Sequence, residues 1–177
     1  MRILKRTTLY CLLAWWVFCL YGPQATQADE PPREETVYYP VHGDTLAAVL
    51  REMTEKGPKP YWGFTHWNVR WSGACALSAS VTLTLPEWQP SAWVSAHETT
   101  RIENKIAQLT AHEQGHVRLF QRGYSALQDL FHASHLSCPD KKKRGEEILA
   151  KMRLRDKTYD DQTNHGKNPA NCCHEDP

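Results

Sequence analysis

A single long amphipathic helix is predicted for Thr99–His135, TTRIENKIAQLTAHEQGHVRLFQRGYSALQDLFHASH. Apolar residues recur along it at intervals of three or four, which places them on one helical face: Ile102, Ile106, Leu109, Val117, Phe120, Tyr124, Leu127 and Phe131. The segment Cys138-Pro139-Asp140 breaks this helix, because proline disrupts a helix interior. Asp140 is expected to cap a second helix that reaches Gln162 and runs antiparallel to the first.

Upstream of the long helix, two segments alternate apolar and polar residues with the period of a β-strand. They are Trp62–Trp71 and Leu77–Leu85, and Gly73 between them suits a hairpin. Pro86 is expected to end the second strand. The pattern makes His66 an ordinary sheet-face residue.

A short strand at Thr36–Val41 and a helix from an Asp44 N-cap to Glu55 precede this hairpin. The predicted fold class is therefore α+β. A small antiparallel sheet packs against the long helix and the antiparallel C-terminal helix.

Residues 1–28 are predicted to be a signal peptide. Arg2, Lys5 and Arg6 precede the apolar run Leu9–Leu20, which is short for a membrane span, and small residues near Ala28 offer a cleavage site. An uncleaved anchor is the alternative. Cleavage would leave 149 of the 177 residues, with one domain at 29–165 and a polar tail at 166–177. A periplasmic or secreted bacterial protein without a stable membrane anchor is expected.

The charge of the mature chain gives no basis for nucleic-acid binding. Removing the signal removes three of the 21 Lys and Arg residues and none of the 20 Asp and Glu residues, which leaves a formal charge of −2. Binding to nucleic acid needs a clustered basic face. The run Lys141–Arg144 is local and opens the second helix, so a solvated turn is its expected structure.

Four cysteines remain after cleavage: Cys75, Cys138, Cys172 and Cys173. An even number in an exported protein suggests disulfides, and four cysteines allow three pairings. The spacing does not select one of them.

The chemistry is predicted to centre on His112-Glu113-Gln114-Gly115-His116, an HExxH motif inside the long helix. Residues four apart lie on the same helical face, so both imidazoles can bind one zinc ion. The adjacent Glu113 can then act as general base on a zinc-activated water. A solvated helix face and a noncatalytic zinc site are the alternatives.

His165 is the predicted third zinc ligand. The chain runs about 30 Å from His116 to its turn, and the second helix returns by about the same distance. This brings His165 level with the motif, whereas His132 lies about 24 Å away along the first helix. His97 is too distant in the other direction, His174 and Glu175 are weaker competitors, and His42 has no argument for or against it.

The residues before His165 are expected to assist it. Tyr159 is predicted to donate a hydrogen bond to a developing oxyanion. Asp160 or Asp161 is predicted to accept the second ring hydrogen of a ligand histidine. Gly166 permits a sharp turn there. Ordinary solvated groups at a helix C-terminus are the alternative for each.

These residues resemble a bacterial family of uncharacterised secreted proteins described as predicted zinc-dependent proteases. The resemblance covers most of the mature chain, and its specific part is HEQGH followed by TNHG; the matching segments are Thr65–Trp71, Cys75, Leu83–Trp88, Ala111–Phe120, Cys138 and Tyr159–Gly166. It implies a zincin-like site with His112, His116 and His165 as ligands and Glu113 as base. It also implies a Cys75–Cys138 disulfide. Cys172 and Cys173 depart from the family pattern.

The leading functional hypothesis is a secreted zinc metallopeptidase that acts on a peptide or protein substrate. A noncatalytic zinc-binding module that mediates partner binding is the main alternative. An inhibitor or chaperone of another exported protein would carry no metal.

Overall fold

The computed structural model describes residues 31–166. In chain order its elements are β1 (Arg33–Val41), α1 (Leu46–Lys56), β2 (Phe64–Trp71), β3 (Leu77–Trp88), α2 (Ala96–His132) and α3 (Cys138–Thr163). The α+β class and the antiparallel arrangement of the last two helices are confirmed. The predicted signal peptide, His174, Glu175, Cys172 and Cys173 lie outside the described residues. No helix within residues 31–166 combines the length and apolarity needed to cross a membrane.

The sheet is mixed rather than wholly antiparallel. Its strand order is β1-β3-β2; β2 pairs antiparallel with β3, as the hairpin pattern predicts, whereas β1 pairs parallel with β3. β3 is central because it carries the largest share of buried apolar side chains, including Leu77, Val81 and Leu85. The chain crosses from β1 through α1 before the hairpin, so β1 meets β3 running in the same direction.

The prediction that Pro86 ends β3 is wrong. The strand continues to Trp88, and Pro86 pairs with Tyr39 of β1. β2 accompanies β3 only as far as Thr84. Beyond that point one side of β3 has no neighbouring strand among the described residues, and proline is tolerated at such positions.

Hydroxyl side chains cap all three helices. Thr45, Ser95 and Ser137 accept hydrogen bonds from main-chain N–H groups three residues ahead. The caps predicted at Asp44 and Asp140 were therefore wrong by one and three residues. Asp140 instead lies in the first turn of α3, where its negative charge complements the helix dipole.

Glycines set the close approach of α2 and α3. A Cβ on Gly115 would lie 2.0 Å from the Tyr159 hydroxyl oxygen, and one on Gly123 would lie 2.4 Å from the Met152 side chain. Contacts between Gly145 and Phe131 continue the same antiparallel register towards the other end of the pair. This register brings the C-terminal end of α3 level with the HExxH turn.

A disulfide joins Cys75, in the β2–β3 hairpin, to Cys138 at the start of α3, with their Cα atoms 5.8 Å apart. The pairing implied by the family resemblance is confirmed. The bond fastens the sheet to the end of the helical pair that lies away from the histidines.

Replacing both cysteines with serine is expected to lower the free energy of unfolding by about 4 kcal/mol, because the bond closes a loop between residues 63 apart. Denaturant unfolding of oxidised wild type and of C75S/C138S would measure the difference. Wild type under a reducing agent is the matched control and should resemble the variant. Equal stability of all three samples would contradict the prediction.

Candidate metal centre

His112 and His116 lie one turn apart on the face of α2 that meets α3. Both side chains are buried, with exposed fractions of 5% and 8%. Their ring planes are nearly perpendicular, and the ring centroids are 4.9 Å apart. The helix thus presents the two rings side by side, as the four-residue spacing predicts.

Each ring has an acceptor for its Nδ1 hydrogen. Nδ1 of His116 lies 3.2 Å from Oδ1 of Asp156, whose other oxygen accepts a hydrogen bond from Trp67 Nε1 at 2.6 Å. Nδ1 of His112 lies 3.2 Å from Oγ1 of Thr163. That hydroxyl donates its own hydrogen to the main-chain oxygen of Tyr159 at 2.7 Å, so it accepts from the ring. Such contacts fix the tautomer of metal-binding histidines and leave Nε2 for the ion.

Both Nε2 atoms converge on one carboxylate oxygen. Oδ1 of Asp160 lies 3.2 Å from Nε2 of His112 and 3.1 Å from Nε2 of His116. A tetrahedral zinc ion with ligands at about 2.0–2.1 Å separates its donor atoms by about 3.3 Å. The donor atoms of His112, His116 and Asp160 all lie within 4.8 Å of one another. Imidazole nitrogen and carboxylate oxygen are ordinary zinc donors, so this group fits zinc in both chemistry and spacing.

The pKa values within this group favour a positive charge between its carboxylates. Burial opposes charge on His116, but hydrogen bonds to Asp156 and Asp160 outweigh burial and raise its pKa to about 9. Burial likewise acts to raise the pKa of Asp160, but contacts with His112 and His116 hold it well below its usual range. The two carboxylates therefore stabilise a positive charge at His116.

Glu113 lies beside the two histidines and is 4% exposed. Its Oε2 accepts a hydrogen bond from Thr65 Oγ1 at 2.7 Å, which ties β2 to α2. A Cβ at Gly63 would lie 2.9 Å from the other carboxylate oxygen, so a residue without a side chain leaves room for this group. Burial raises the pKa of Glu113, and the Thr65 hydrogen bond only partly opposes the shift. A carboxylate with a raised pKa is a better proton acceptor.

Tyr159 packs behind the histidines. Its ring stacks on His112 at a centroid distance of 5.0 Å and meets the edge of His116 at 4.9 Å. The hydroxyl donates to the main-chain oxygen of His112 at 3.3 Å. These contacts hold both histidine rings in place, and the role of Tyr159 in oxyanion stabilisation stays a prediction.

His165 reaches the site on a left-handed turn after α3. Asn164, His165 and Gly166 have φ angles of 48°, 51° and 76°. A Cβ on Gly166 would lie 2.9 Å from the His112 ring, so glycine allows the turn to close against that ring. Nδ1 of His165 lies 3.5 Å from Asp160 Oδ1, and its side chain is 45% exposed. The turn thus brings His165 level with the motif as expected, but Asp160 is the residue that faces both Nε2 atoms, and His165 as third ligand stays a prediction.

The other residues considered at the sequence level lie outside this group. Asp161 is exposed and forms an ion pair with Lys157 at 2.6 Å. His66 is exposed on β2, as expected of a sheet-face residue. His97 lies 3.7 Å from Glu98 near the start of α2, and His132 ends that helix.

An open cavity of about 560 Å³ contains the candidate centre. Its walls are formed by the segment before β2, the start of β2, α2 and the end of α3; the lining residues include Tyr61, Phe64, Thr65, His112, Glu113, His116, Asp156, Asp160 and His165. Tyr61 and Phe64 are exposed aromatic residues at its mouth, with parallel rings 6.1 Å apart. Tyr61 also contacts the His165 ring at 5.5 Å. The cavity therefore combines an apolar wall with a charged floor.

The sequence pattern predicted no role for Thr65, Asp156 and Thr163, which hydrogen-bond to Glu113, His116 and His112 respectively. The spacing of polar residues along α3 could have identified two of them, Asp156 and Thr163. Asp156 is followed by Asp160 after four residues and by Thr163 after three more, and Tyr159 lies three residues after Asp156 and four before Thr163. This spacing places the four residues on the helical face that meets HExxH. Polar residues at this spacing resemble a solvated helix face unless the partner helix is known.

Comparison with protein families agrees with the extent of the described fold. No curated protein and no solved structure matches the chain significantly. One family model matches a segment that begins within β1 and ends at Gly166. This segment includes most of the sheet, the disulfide and the candidate ligands His112, His116 and Asp160. The chain belongs to DUF922, a bacterial family of unknown function, whose model matches residues 36–166.

Proposed function

We propose that this protein is a zinc-dependent metallohydrolase that cleaves peptide bonds. The observation that carries the proposal is the convergence of His112, His116 and Asp160 donor atoms beside the buried Glu113 carboxylate in one open cavity. Two histidines, one carboxylate and an open position form a catalytic zinc site, whereas structural sites are closed by four protein ligands.

The protein's own residues then have separate roles. Zinc bound at this site would polarise a substrate carbonyl and lower the pKa of a water molecule. Glu113 accepts a proton from the attacking water and passes it to the leaving amine. Asp156 and Thr163 hold the imidazoles in the tautomer that directs Nε2 into the cavity.

The shape of the cavity favours an extended peptide as substrate. Among residues 31–166, β2 pairs with β3 on one side and with no strand on the other. The start of β2 lines the cavity together with Glu113. An extended chain can add to such an edge through main-chain hydrogen bonds, and the aromatic residues Tyr61 and Phe64 offer apolar contacts for its side chains.

The disulfide supports the proposed location. Disulfides persist in oxidising compartments, and the periplasm and cell exterior are such compartments. We therefore place the protein in the periplasm or outside the cell, where the substrate is an exported protein or a cell-wall peptide.

Metal analysis of purified variants tests the zinc site. We expect about one zinc per chain for wild type and a loss of stoichiometric zinc in H116A and D160N, because the first removes a donor atom and the second replaces a carboxylate with a neutral amide, a much weaker zinc ligand. D161N is the matched control, since Asp161 lies one residue further along α3 but points to solvent. H165A tests whether His165 also binds the zinc ion. Retained stoichiometric zinc in this variant would reject His165 as a ligand. Full zinc binding in D160N would contradict the assignment of Asp160.

Zinc removal tests the reaction. Wild type is expected to cleave members of a mixed peptide library, to lose this activity on chelation, and to regain it when zinc is restored. The cleavage sites would be read by mass spectrometry. A zinc-loaded protein that cleaves no library member would overturn the peptidase proposal and favour the noncatalytic zinc-binding module.

A further inference from the structure

A second cavity of about 440 Å³ lies next to the cavity that contains the candidate metal centre. It follows the edge of β2 that pairs with no strand among the described residues. The two cavities share Thr65 and Asp156 in their linings. The second cavity is lined on one side by the consecutive residues 65–69 and on the other by α3. Because successive strand side chains point to opposite faces, contact with five consecutive residues places this cavity along the strand edge.

Arg153 supplies the cationic group of this second cavity. Its lining includes the imidazole of His66, the carboxylate of Asp156 and Arg153, whose guanidinium carries a fixed positive charge. Both carboxylate oxygens of Asp156 are already engaged, one by Trp67 Nε1 and one by His116 Nδ1. The Asp156 carboxylate is therefore directed towards Trp67 and His116.

The guanidinium of Arg153 is positioned by an aromatic ring. Its Cζ lies 6.0 Å from the centroid of Trp67, a cation–π contact, and the side chain is exposed. Within the described part of the chain, this contact holds the group without an ion pair. A guanidinium lying on an aromatic ring keeps its N–H groups available, and their planar arrangement matches a carboxylate.

The position of Arg153 sets its distance from the reacting bond. It precedes Asp160 by seven residues on the same helix, which corresponds to about 10 Å along the axis. An extended peptide advances about 3.3 Å per residue. In a peptide that follows the strand edge, the residue three positions away from the cleaved bond therefore lies close to Arg153.

We propose that Arg153 is a specificity-determining residue, which binds a carboxylate of an extended peptide about three residues from the bond that is cleaved. This inference rests on the proposed peptidase function, because it takes its distance from the metal group. The carboxylate is either an Asp or Glu side chain or the C-terminus of the substrate; both offer the same two oxygens.

Kinetics with paired peptides test the proposal. The peptides differ only by Glu or Gln at each of the positions two to four residues from the cleaved bond, and each is made with a free and an amidated C-terminus. We expect wild type to prefer one carboxylate by about tenfold in kcat/KM, mainly through KM, because charged hydrogen bonds add to substrate binding. The amidated series separates a side-chain carboxylate from a terminal one.

Variants of Arg153 should change this preference in a defined way. R153Q is expected to lose the preference, and R153E to reverse it, so that the Gln peptide is cleaved faster than the Glu peptide. R155E is the matched control, since Arg155 is exposed on the same helix and lines neither cavity. Wild-type cleavage that ignores the charge at every position would overturn the role of Arg153 and leave the peptidase proposal intact.

A binding measurement separates the two proposals. Fluorescence anisotropy with the same labelled Glu and Gln peptides reports binding to zinc-loaded wild type or R153Q without requiring cleavage. If no peptide is cleaved but the Glu peptide binds about tenfold more tightly to wild type than to R153Q, the carboxylate site stands and the peptidase proposal fails. Equal binding of both peptides by both proteins would overturn the carboxylate site.

Discussion

E113Q is expected to bind zinc with wild-type stoichiometry and to hydrolyse peptides roughly 10²–10⁴-fold more slowly, since this is the usual contribution of a general base. Glutamine has nearly the same size as glutamate, and its amide oxygen can still accept the hydrogen bond from Thr65. The substitution therefore removes the proton acceptor and little else. The measurements are kcat/KM on a peptide found in the library screen and zinc content by elemental analysis.

E103Q is the control for this substitution. Glu103 is exposed on the same helix and does not line the cavity, so its variant should keep both zinc and activity. An E113Q protein that is fully loaded with zinc and retains half of the wild-type rate would remove Glu113 from the mechanism.

Gly115→Ala is expected to weaken zinc binding by tenfold or more and to destabilise the zinc-free protein by about 1–3 kcal/mol. The added methyl group would lie 2.0 Å from the Tyr159 hydroxyl oxygen. The Tyr159 ring must then move, and this ring stacks on His112 and touches His116. Zinc affinity would be measured by competition with a fluorescent chelator, and stability by denaturant unfolding in excess chelator, because bound metal would itself shift the equilibrium.

Gly123→Ala separates a clash near the metal from a clash elsewhere. Gly123 lies on the same face of α2 two turns further on, and its added methyl group would meet Met152. Alanine gains the same helix propensity at both positions, about 1 kcal/mol, so the comparison cancels this gain. G123A should change stability but leave zinc affinity within about twofold of wild type. Wild-type zinc affinity in G115A would show that Tyr159 does not position the histidines.

Local patterns predicted much of this molecule because the interactions concerned are local. The period of two in β2 and β3 identified the hairpin, and the period of 3.6 identified α2 and its two histidines. The length of the two helices also placed His165 level with the motif, which needed only the rise per residue and an antiparallel turn.

The remaining features depend on contacts between distant segments. β1 pairs with β3 rather than with β2 and runs parallel to it, and no pattern within Thr36–Val41 contains that information. Asp160 rather than His165 faces both imidazoles because α3 ends before His165 and the chain then turns left-handed. The hydroxyl of Tyr159 reaches the main-chain oxygen of His112 because Gly115 leaves space for it.

The attachment of α3 has a consequence for how the protein matures. Few of its residues are buried, namely Gly145, Leu149, Met152 and Thr163, so packing alone holds it weakly. Its first residue is tied covalently through Cys138, and its last turns carry Asp160. Oxidation of the cysteines therefore raises the effective concentration of Asp160 beside the α2 histidines before any ion arrives. A chain whose cysteines are still reduced is therefore expected to hold zinc less tightly than the oxidised chain.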